Sequence, residues 1–559
     1  MTNFRLRAYL AIVLLATAAL WSGVAGIRLN SDDYQYLASL SPIQHFGDVL
    51  RPFVSPDANP SFFRPVTNAT MALDFLLFGW SGAAFHFTNL FFHLIATLLV
   101  FYFVRDIFAL TERESFWTAL LFGIAASHEY NLVDDTARAD VLAAIFVMLT
   151  FLLEKRTYRI AALASFALAL LSKEIAIMAL PLVPATFWEK SGNRSRSARR
   201  AILLTTPYII IAVAFNFYHA HFTQPILASQ PLTSEGAHSL AAFLQNAAYS
   251  IGYLILPLDL GSATAVLTQY HALAFTVGVV LCIAVIGLVI RKRDKAFLAR
   301  LWKPLAFTLV TGFVLCLTFE RWRLYLPSVG AVAIIALMVG RASPRIIRTA
   351  LLVAMIPLGA FHIYRALAAE SEWRVSTAMR DTLQESLAGI LARIPERPVT
   401  LGMLDVPAKL GSAAVDELGQ SALVTRAEAD RISERNRETA ATDSVHVDSW
   451  TAVNVYALNA SEGFRGLQLA QISRNSYLIS VPETSTIALY PGSTTNGTAR
   501  RDVAFHSGDT ISEPEFVDII RSSLFGIPKS IEVRVLDTSA VLLSFNGHSF
   551  ERIRNESAH

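Results

Sequence analysis

Two adjacent carboxylates follow the first apolar segment of the sequence, in the run Ser31-Asp32-Asp33-Tyr34. One acid at such a place is an ordinary helix cap, and Ser31 or Asp32 alone would provide it. The second carboxylate exceeds that need. Because neighbouring carboxylates repel each other, the pKa of one is raised, which suits it to take a proton from a hydroxyl group. The pair therefore predicts a catalytic base.

Basic side chains recur at short breaks between the later apolar segments, where a purely structural helix bundle would avoid charge. They are Arg64, Arg138, Lys173, Arg321 and Arg323. For each residue alone, a solvated loop position is an equally good interpretation. Arginine forms paired hydrogen bonds with a phosphate, and lysine contributes a point charge. Taken together, the five residues predict a phosphate-binding site that faces the catalytic acid.

Further polar groups accompany the basic residues and are candidates for a supporting role. They are Asp135, Asp140, Glu174, Glu320 and Tyr325. Lys173 and Glu174 have apolar neighbours on both sides, so we expect them at the membrane interface, where an ordinary ion pair is the alternative to a site. A divalent Mg²⁺ or Mn²⁺ ion on Asp32, Asp33 and Asp140 is a second alternative. Since the basic residues already supply positive charge, we expect no metal.

Three polar residues share one face of the second apolar segment at helical spacing: His86, Asn89 and His93. Two histidines seven positions apart on an apolar helix are weak evidence for a metal site. Side chains of this kind commonly form hydrogen bonds between membrane helices. We therefore expect hydrogen bonding between helices at these positions.

The elements that must position these residues are apolar helices. Hydrophobic residues make up 53% of the chain and charged residues 16%, whereas soluble domains carry about 25% charge. The net charge of +3 is too small to indicate nucleic-acid binding. With roughly 20 apolar residues per membrane span, the pattern predicts about eleven spans. These are 8–27, 83–104, 116–132, 139–153, 158–172, 174–189, 201–218, 271–290, 303–319, 324–340 and 347–366.

Two apolar stretches differ from ordinary membrane spans. The first run resembles a secretory signal peptide, but the many apolar segments after it favour an uncleaved span. The stretch 246–260 is interrupted by Pro257 and Asp259, and no Lys or Arg occurs between His219 and Ala272. Both ends of that stretch therefore resemble external loops, which predicts a re-entrant or interfacial segment.

The distribution of Lys and Arg predicts the orientation. Four short loops rich in these residues fall on the same side as Arg5 and Arg7, and such loops face the cytoplasm. The acidic pair and the candidate phosphate-binding residues then lie on the opposite side. An odd number of spans also places the C-terminus there. We expect a multi-pass protein of a bacterial inner membrane, with the endoplasmic reticulum as the alternative.

The composition changes near residue 370. After it, short alternating runs predict strands between Gly, Asn and Pro turns: Thr451–Ala460, Ser476–Val481, Ser530–Leu536 and Ala540–Phe545. The expected fold is a polytopic α-helical membrane domain over 1–370, followed by a periplasmic or otherwise extracytoplasmic α/β domain over 371–559.

The polar residues, in their order along the chain, resemble the GT-C class of membrane glycosyltransferases. The likeness covers roughly residues 1–375 and is strongest to the transmembrane O-mannosyltransferases, and weaker to protein O-mannosyltransferases and lipid A aminoarabinose transferases. The matching pieces are Asp32-Asp33, Phe63-Arg64-Pro65-Val66, Phe85-His86 with Asn89 and His93, Arg138-Ala139-Asp140-Val141-Leu142, Lys173-Glu174, and Glu320-Arg321 with Leu324-Tyr325-Leu326-Pro327-Ser328. The region after residue 380 lacks the tetratricopeptide repeats of the first group, so that group's acceptor does not carry over.

The resemblance implies an inverting transfer of a sugar from a polyprenyl-phosphate donor to a hydroxyl of a protein, glycan or lipid, outside the cytoplasm. Asp32 or Asp33 would be the base, and Arg64, Arg138, Lys173 and Arg321 would stabilise the leaving phosphate. A flippase for lipid-linked saccharides is the main alternative. Such a protein would place charges near the middle of the bilayer, between repeated halves. A further alternative is an inactive scaffold of the cell envelope.

Overall fold

A computed structural model gives the architecture of the chain. The described residues are 3–29, 33, 43–55, 62–187, 194–223, 240–257, 276–280, 283, 295–317, 321–341, 345–393 and a set of strands between 399 and 553. Within them, contacts divide the chain into two units. The first comprises Met1–Ile27, Ser39–Leu258 and Gln269–Glu370, and the second Arg28–Ala38, Asp259–Thr268 and Ser371–His559.

The α-helices are numbered here in chain order. They are α1 (Asn3–Trp21), α2 (Pro65–Phe78), α3 (Gly82–Asp106), α4 (Glu112–Gly123), α5 (Glu129–Val133), α6 (Arg138–Lys155), α7 (Arg159–Ser172), α8 (Val183–Phe187), α9 (Arg194–Phe222), α10 (Leu240–Ile255), α11 (Lys295–Thr311), α12 (Phe313–Leu317), α13 (Tyr325–Arg341) and α14 (Arg345–Ala392). Short 3-10 helices join several of them, at Ser22–Gly26, Phe46–Phe53, Ala126–His128, Glu174–Leu182 and Arg321–Leu324.

Four helices in the described part of the chain are long and apolar enough to cross a membrane. They are Phe4–Gly26, Gly82–Asp106, Ser197–Phe222 and Arg321–Gly340. A fifth candidate is a bent pair, Ala126–Val133 and Arg138–Lys155, whose axes meet at 111°. The chain is therefore a multi-pass membrane protein. The total of about eleven spans stays a prediction, since most of segment 271–290 lies outside the described residues.

Some predicted spans differ from the helices that form. The predicted span 116–132 is divided, because α4 ends at Gly123 and the polar 3-10 turn Ala126–His128 follows. The predicted span 174–189 begins as a 3-10 helix that contains Pro181. Proline has no N–H to donate and disfavours a regular α-helix.

The first unit has a continuous apolar core. Helices α3, α4, α6 and α13 pack against one another, with α7 and α11 on their flanks. The core includes fully buried Phe101, Phe103, Phe122, Val147 and Leu337. The packed helices carry polar residues as well as apolar ones, and those polar residues form the contacts described below.

In the second unit, the described residues after Arg393 form strands in two sheets. The strands are β1 (Val399–Leu410), β2 (Ala413–Ala414), β3 (Val447–Ala457), β4 (Gln468–Ser473), β5 (Ser476–Ser480), β6 (Ser485–Leu489), β7 (Ala504–Ser507), β8 (Asp509–Thr510), β9 (Ser530–Arg534), β10 (Val541–Phe545) and β11 (Phe550–Arg552). One sheet has the order β11-β10-β1-β3-β6, with β2 beside β1, and β1 runs parallel to both of its neighbours β10 and β3. The other sheet, β4-β5-β9-β7-β8, is antiparallel.

Candidate functional site

Arg64 occupies the residue before α2. Pro65 begins that helix, a position where the fixed φ of proline favours a helical start and its missing N–H costs nothing. The guanidinium of Arg64 donates two hydrogen bonds to Glu174, from Nε at 3.0 Å and from Nη2 at 2.7 Å. One face of the guanidinium covers the ring of Phe62, with Cζ 3.9 Å from the ring centroid. Arg64 thus presents its paired donors to a carboxylate.

Lys173 joins α7 to the 3-10 helix that begins at Glu174. Its Nζ atom lies 2.5 Å from Oδ2 of Asp140 in α6, and both side chains are buried. Burial lowers the pKa of the Lys173 ammonium, whereas the Asp140 carboxylate raises it. Lys173 and Glu174 are adjacent in sequence, but each pairs with a residue from a different helix. An ordinary ion pair was the alternative to a site at these residues, and the structure has two pairs here, Lys173–Asp140 and Arg64–Glu174.

These two pairs lie close together. Thr67 in α2 donates a hydrogen bond to the carbonyl oxygen of Ser172, 3.0 Å away, which ties the helix after Arg64 to the residue before Lys173. The charges of Arg64 and of half-buried Arg323 both act on Asp140 and on Lys173. The structure thus brings together Arg64, Lys173 and Arg323 of the predicted phosphate-binding set.

Arg138 has a different environment. Its guanidinium is fully buried and pairs with Asp74 at 2.7 Å, and it lies 3.8 Å from Asp135. It also donates to Oδ1 of Asn89 at 2.5 Å and to the carbonyl oxygen of Phe85 at 3.2 Å. Burial raises the pKa of the Asp74 carboxyl, and the charge of Arg138 opposes that change. Arg138 therefore links α2, α3 and α6 inside the protein.

Arg321 is also buried and has a carboxylate partner. Its Nη1 atom lies 2.8 Å from Oε1 of Glu129, and its guanidinium covers the ring of Tyr130, 4.8 Å from the centroid. Trp322 stacks on the same tyrosine ring at 4.9 Å. These contacts join the 3-10 turn before α13 to α5.

Tyr325 begins α13 and contacts α3. Its hydroxyl oxygen lies 2.6 Å from Nδ1 of His93, while Nε2 of His93 lies 3.1 Å from the carbonyl oxygen of Gly123. A carbonyl only accepts, so Nε2 carries the proton, and the Tyr325 hydroxyl must donate to Nδ1. Gly123 is needed here because an added Cβ would lie 2.2 Å from Oγ1 of Thr17.

The predicted hydrogen bonding between helices is confirmed for Asn89 and His93. Asn89 donates to Asp135 at 2.8 Å, and His93 links α3 to α4 and α13. Nδ1 of His86 lies 3.6 Å from Asp135. Asn89 and His93 thus bond to other helices, whereas the acid near His86 lies in the loop between α5 and α6.

The acidic pair is described only in part. Asp32 and Glu320 lie outside the described residues. Asp33 is buried and belongs to the second unit, whereas the basic residues belong to the first.

Asp140 is one of the acids considered above as a ligand of a divalent ion. Among the described residues, no group of three or more His, Cys, Asp or Glu side chains is arranged to hold one. The Asp140 carboxylate instead faces the Lys173 ammonium, which already supplies its counter-charge.

Sequence reasoning missed several residues of this region. Asp74 and Glu129 are the carboxylate partners of Arg138 and Arg321, and His219 lies beside Arg64 and Glu174. For Asp74 a signal was present, since it is a lone acid in the apolar run Leu73-Asp74-Phe75. The sequence holds no comparable signal for His219.

The chain is similar in sequence to protein O-mannosyl-transferases, as its motifs predict. One from Caenorhabditis elegans is 24% identical over 304 residues, which is 52% of this chain and 44% of that protein. The human protein O-mannosyl-transferase TMTC1 is 32% identical over 95 residues, 17% of this chain and 11% of that protein. The chain thus spans less than half the length of these curated relatives. No family model matches the chain.

Two solved structures are similar at low TM-scores. ArnT from Cupriavidus metallidurans bound to undecaprenyl phosphate gives a TM-score of 0.40 at 12% identity, covering 85% of this chain and 97% of that one. The oligosaccharyltransferase of Archaeoglobus fulgidus in the apo form gives 0.42 at 11% identity, covering 88% and 77%.

Proposed function

We propose that the protein is an inverting glycosyltransferase. It moves a sugar from a polyprenyl-phosphate donor to a hydroxyl acceptor on the extracytoplasmic side of a membrane. The similarity to protein O-mannosyl-transferases over 304 residues supports the reaction class. The observation that carries the proposal for this chain is the pair of adjoining ion pairs, Arg64–Glu174 and Lys173–Asp140.

The reaction needs a base and a stabilised leaving group. In the proposed mechanism, Asp33 or Asp32 takes the proton of the acceptor hydroxyl, and the acceptor oxygen attacks the anomeric carbon. The bond from that carbon to the phosphate oxygen breaks on the opposite face, and its electron pair stays on the departing polyprenyl phosphate. That phosphate is a weak base and needs positive charge, with no proton donor.

Arg64 and Lys173 are the proposed source of that charge. The fork of Arg64 already holds a carboxylate through two parallel hydrogen bonds, and a phosphate offers the same geometry. The Arg64 and Glu174 side chains retain 11% and 34% exposure, so the pair is within reach of a ligand. Lys173 and Arg323 add charge nearby.

Separate substitutions Asp32→Asn and Asp33→Asn test the base. Sugar transfer from a mannose-charged polyprenyl phosphate is measured in membranes that contain each full-length variant. We expect one variant to lose transfer by roughly a hundredfold or more. The matched control is Glu385→Gln, an acid-to-amide change at an exposed position of α14, which should leave transfer unchanged.

Two outcomes would contradict the proposal. Full transfer in both Asp variants would reject these acids as the base. Movement of the lipid-linked sugar across the membrane without transfer would instead favour a flippase.

A further inference from the structure

His219 lies in the last turn of α9, beside the Arg64–Glu174 pair. The ring of Phe63, the residue before Arg64, stacks on Phe222 at 4.5 Å and lies edge-on to the His219 ring at 6.5 Å. The charges of Glu174 and Arg64 both act on the imidazole. His219 is therefore a neighbour of the proposed phosphate-binding residue, contributed by a helix that carries none of the predicted site residues.

The hydrogen bonds of Thr223 decide which ring nitrogen carries the proton. Oγ1 of Thr223 lies 2.9 Å from the carbonyl oxygen of His219 and 3.1 Å from its Nδ1. A hydroxyl has one proton, and a carbonyl oxygen only accepts, so the Thr223 proton goes to the carbonyl. Nδ1 must then donate to Oγ1. In the neutral ring, Nε2 is left with a free lone pair and acts as a hydrogen-bond acceptor.

That acceptor atom is buried, and no residue in the described part of the chain makes a hydrogen bond to it. A buried polar atom left without a partner is destabilising, because it has lost its hydrogen bond to water. Such atoms are rare in folded proteins and call for an explanation, of which a ligand is one. Here the atom belongs to a ring that contacts Phe63, the residue before Arg64, whose ion pair we assign to the donor phosphate.

We propose that Nε2 of His219 accepts a hydrogen bond from a carbohydrate hydroxyl in the bound substrate. This inference rests on the proposed function and deepens it, because it names a residue that recognises the sugar. A phosphate cannot be the partner, because an anionic phosphate has only acceptor atoms. Nε2 is also an acceptor, so neither group could donate a hydrogen bond to the other. The charges of Glu174 and Arg64 act on the ring in opposite directions.

The hydroxyl has two sources, the sugar of the donor and the acceptor. A sugar whose phosphate is held by Arg64 has its hydroxyls next to that phosphate, within reach of a neighbouring side chain. An acceptor that approaches the anomeric carbon enters the same region. Both sources share the chemistry of a donating hydroxyl, and the experiment distinguishes them.

Substitutions at His219 separate its two nitrogens. Gln places an amide group near the position of Nε2, Asn places one near Nδ1, and Phe keeps only the bulk of the ring. The matched control is His221→Asn, at an exposed histidine two residues on. Two quantities are measured on the full-length protein: the KM and kcat of transfer, and the binding of mannose-linked and sugar-free forms of one short polyprenyl phosphate.

We expect H219N and H219F to weaken substrate binding by roughly three- to tenfold, the value of one hydrogen bond. H219Q should stay within about twofold of the wild type. If the donor sugar supplies the hydroxyl, the two variants lose preference for the mannose-linked lipid. If the acceptor supplies it, that preference remains and the KM for the acceptor rises.

The inference is overturned if H219N and H219F keep both the lipid preference and the acceptor KM within about twofold. It is also overturned if the Gln, Asn and Phe variants all lose substrate binding equally. That pattern would mean that the His219 ring acts through packing and that Nε2 forms no hydrogen bond with the substrate. Absence of any lipid preference in the wild type, with an unchanged acceptor KM in the variants, would reject it too. A wild type that prefers the mannose-linked lipid but transfers no sugar would reject the proposed function and leave the binding role supported.

Discussion

The Arg64–Glu174 pair and the Arg138 network both join an arginine to carboxylates, but they differ in burial. The Arg64 and Glu174 side chains are 11% and 34% exposed, and one carboxylate takes both of the donated bonds. Arg138 is fully buried and contacts two carboxylates, an amide and a carbonyl. We propose that the first arginine exchanges its partner for a ligand, whereas the second has its donors committed within the protein.

This difference in burial separates a ligand-binding arginine from a structural arginine within the predicted phosphate-binding set. Removing one partner of a fully buried pair leaves an uncompensated charge and costs several kcal/mol. Removing a partner from a partly exposed pair costs little, because water replaces it. We therefore assign Arg138 to the stability of the helix bundle and Arg64 to the ligand. Four substitutions sharpen or break this comparison.

Arg138→Met should have the largest effect. It leaves Asp74 buried without its cation, so we expect a loss of about 3–5 kcal/mol in the free energy of unfolding. Thermal unfolding of the purified protein and its yield in membranes measure the change. The matched variant Arg138→Lys keeps the charge but loses the paired guanidinium donors, so its free energy of unfolding should lie between those of the wild type and Arg138→Met. If the Arg138→Met protein is stable and loses only sugar transfer, Arg138 binds the phosphate after all and the structural assignment is wrong.

The loss in Arg138→Met should also depend on pH. Without Arg138, only burial acts strongly on the Asp74 carboxyl, and it raises the pKa above the ordinary value of about 4. A raised carboxyl pKa means that the folded state binds the proton more tightly than the unfolded state. Stability is then greatest below the ordinary pKa and falls as pH rises toward the raised one. The variant should therefore be less destabilised at pH 5 than at pH 8.

Arg64→Ala should reduce sugar transfer by about a hundredfold, the usual effect of removing one donor to a developing negative charge. Its stability should change little, since Glu174 is partly exposed. Initial transfer rates and thermal unfolding, measured on the same preparation, separate the two effects. Arg51→Ala is the control, because Arg51 is exposed in the preceding 3-10 helix. Equal loss of transfer in both variants would contradict a specific role for Arg64.

Glu174→Gln should have a smaller effect than Arg64→Ala, and it should strengthen phosphate binding where Arg64→Ala weakens it. The amide competes less strongly than the carboxylate for the Arg64 fork, so free polyprenyl phosphate should bind about three- to tenfold more tightly. Inhibition of transfer by that lipid phosphate gives the measurement. Unchanged inhibition would mean that Glu174 and the phosphate do not share Arg64.

Tyr325→Phe should have the smallest effect. It removes the hydroxyl that donates to Nδ1 of His93 and leaves a buried acceptor without a partner, at a cost of about 1 kcal/mol. Thermal unfolding should show a shift of a few degrees, and Tyr364→Phe at an exposed position of α14 should show none. A large loss of transfer with unchanged stability would place Tyr325 in the ligand site.

Local features of the sequence predicted much of the helical architecture. The apolar runs 8–27 and 83–104 correspond to Phe4–Gly26 and Gly82–Asp106, because an apolar stretch of sufficient length needs only its own residues to form a membrane helix. Helix α2 was not predicted, although a proline such as Pro65 at a first helical position is a local signal for a helix start. The similarity to protein O-mannosyl-transferases was likewise predictable, since it depends on motifs in their order along the chain.

The partners of the polar residues depended on tertiary structure. Glu174 lies 110 positions from Arg64, and Tyr325 lies 232 positions from His93. Periodicity and composition describe only a residue and its near neighbours in sequence. They indicate that a charged residue lies at the end of a helix, but they do not identify the residue that pairs with it. Only the packing of α2, α3, α6 and α9 decided that Arg138 is enclosed by carboxylates, that Arg64 stays partly exposed, and that His219 lies beside it.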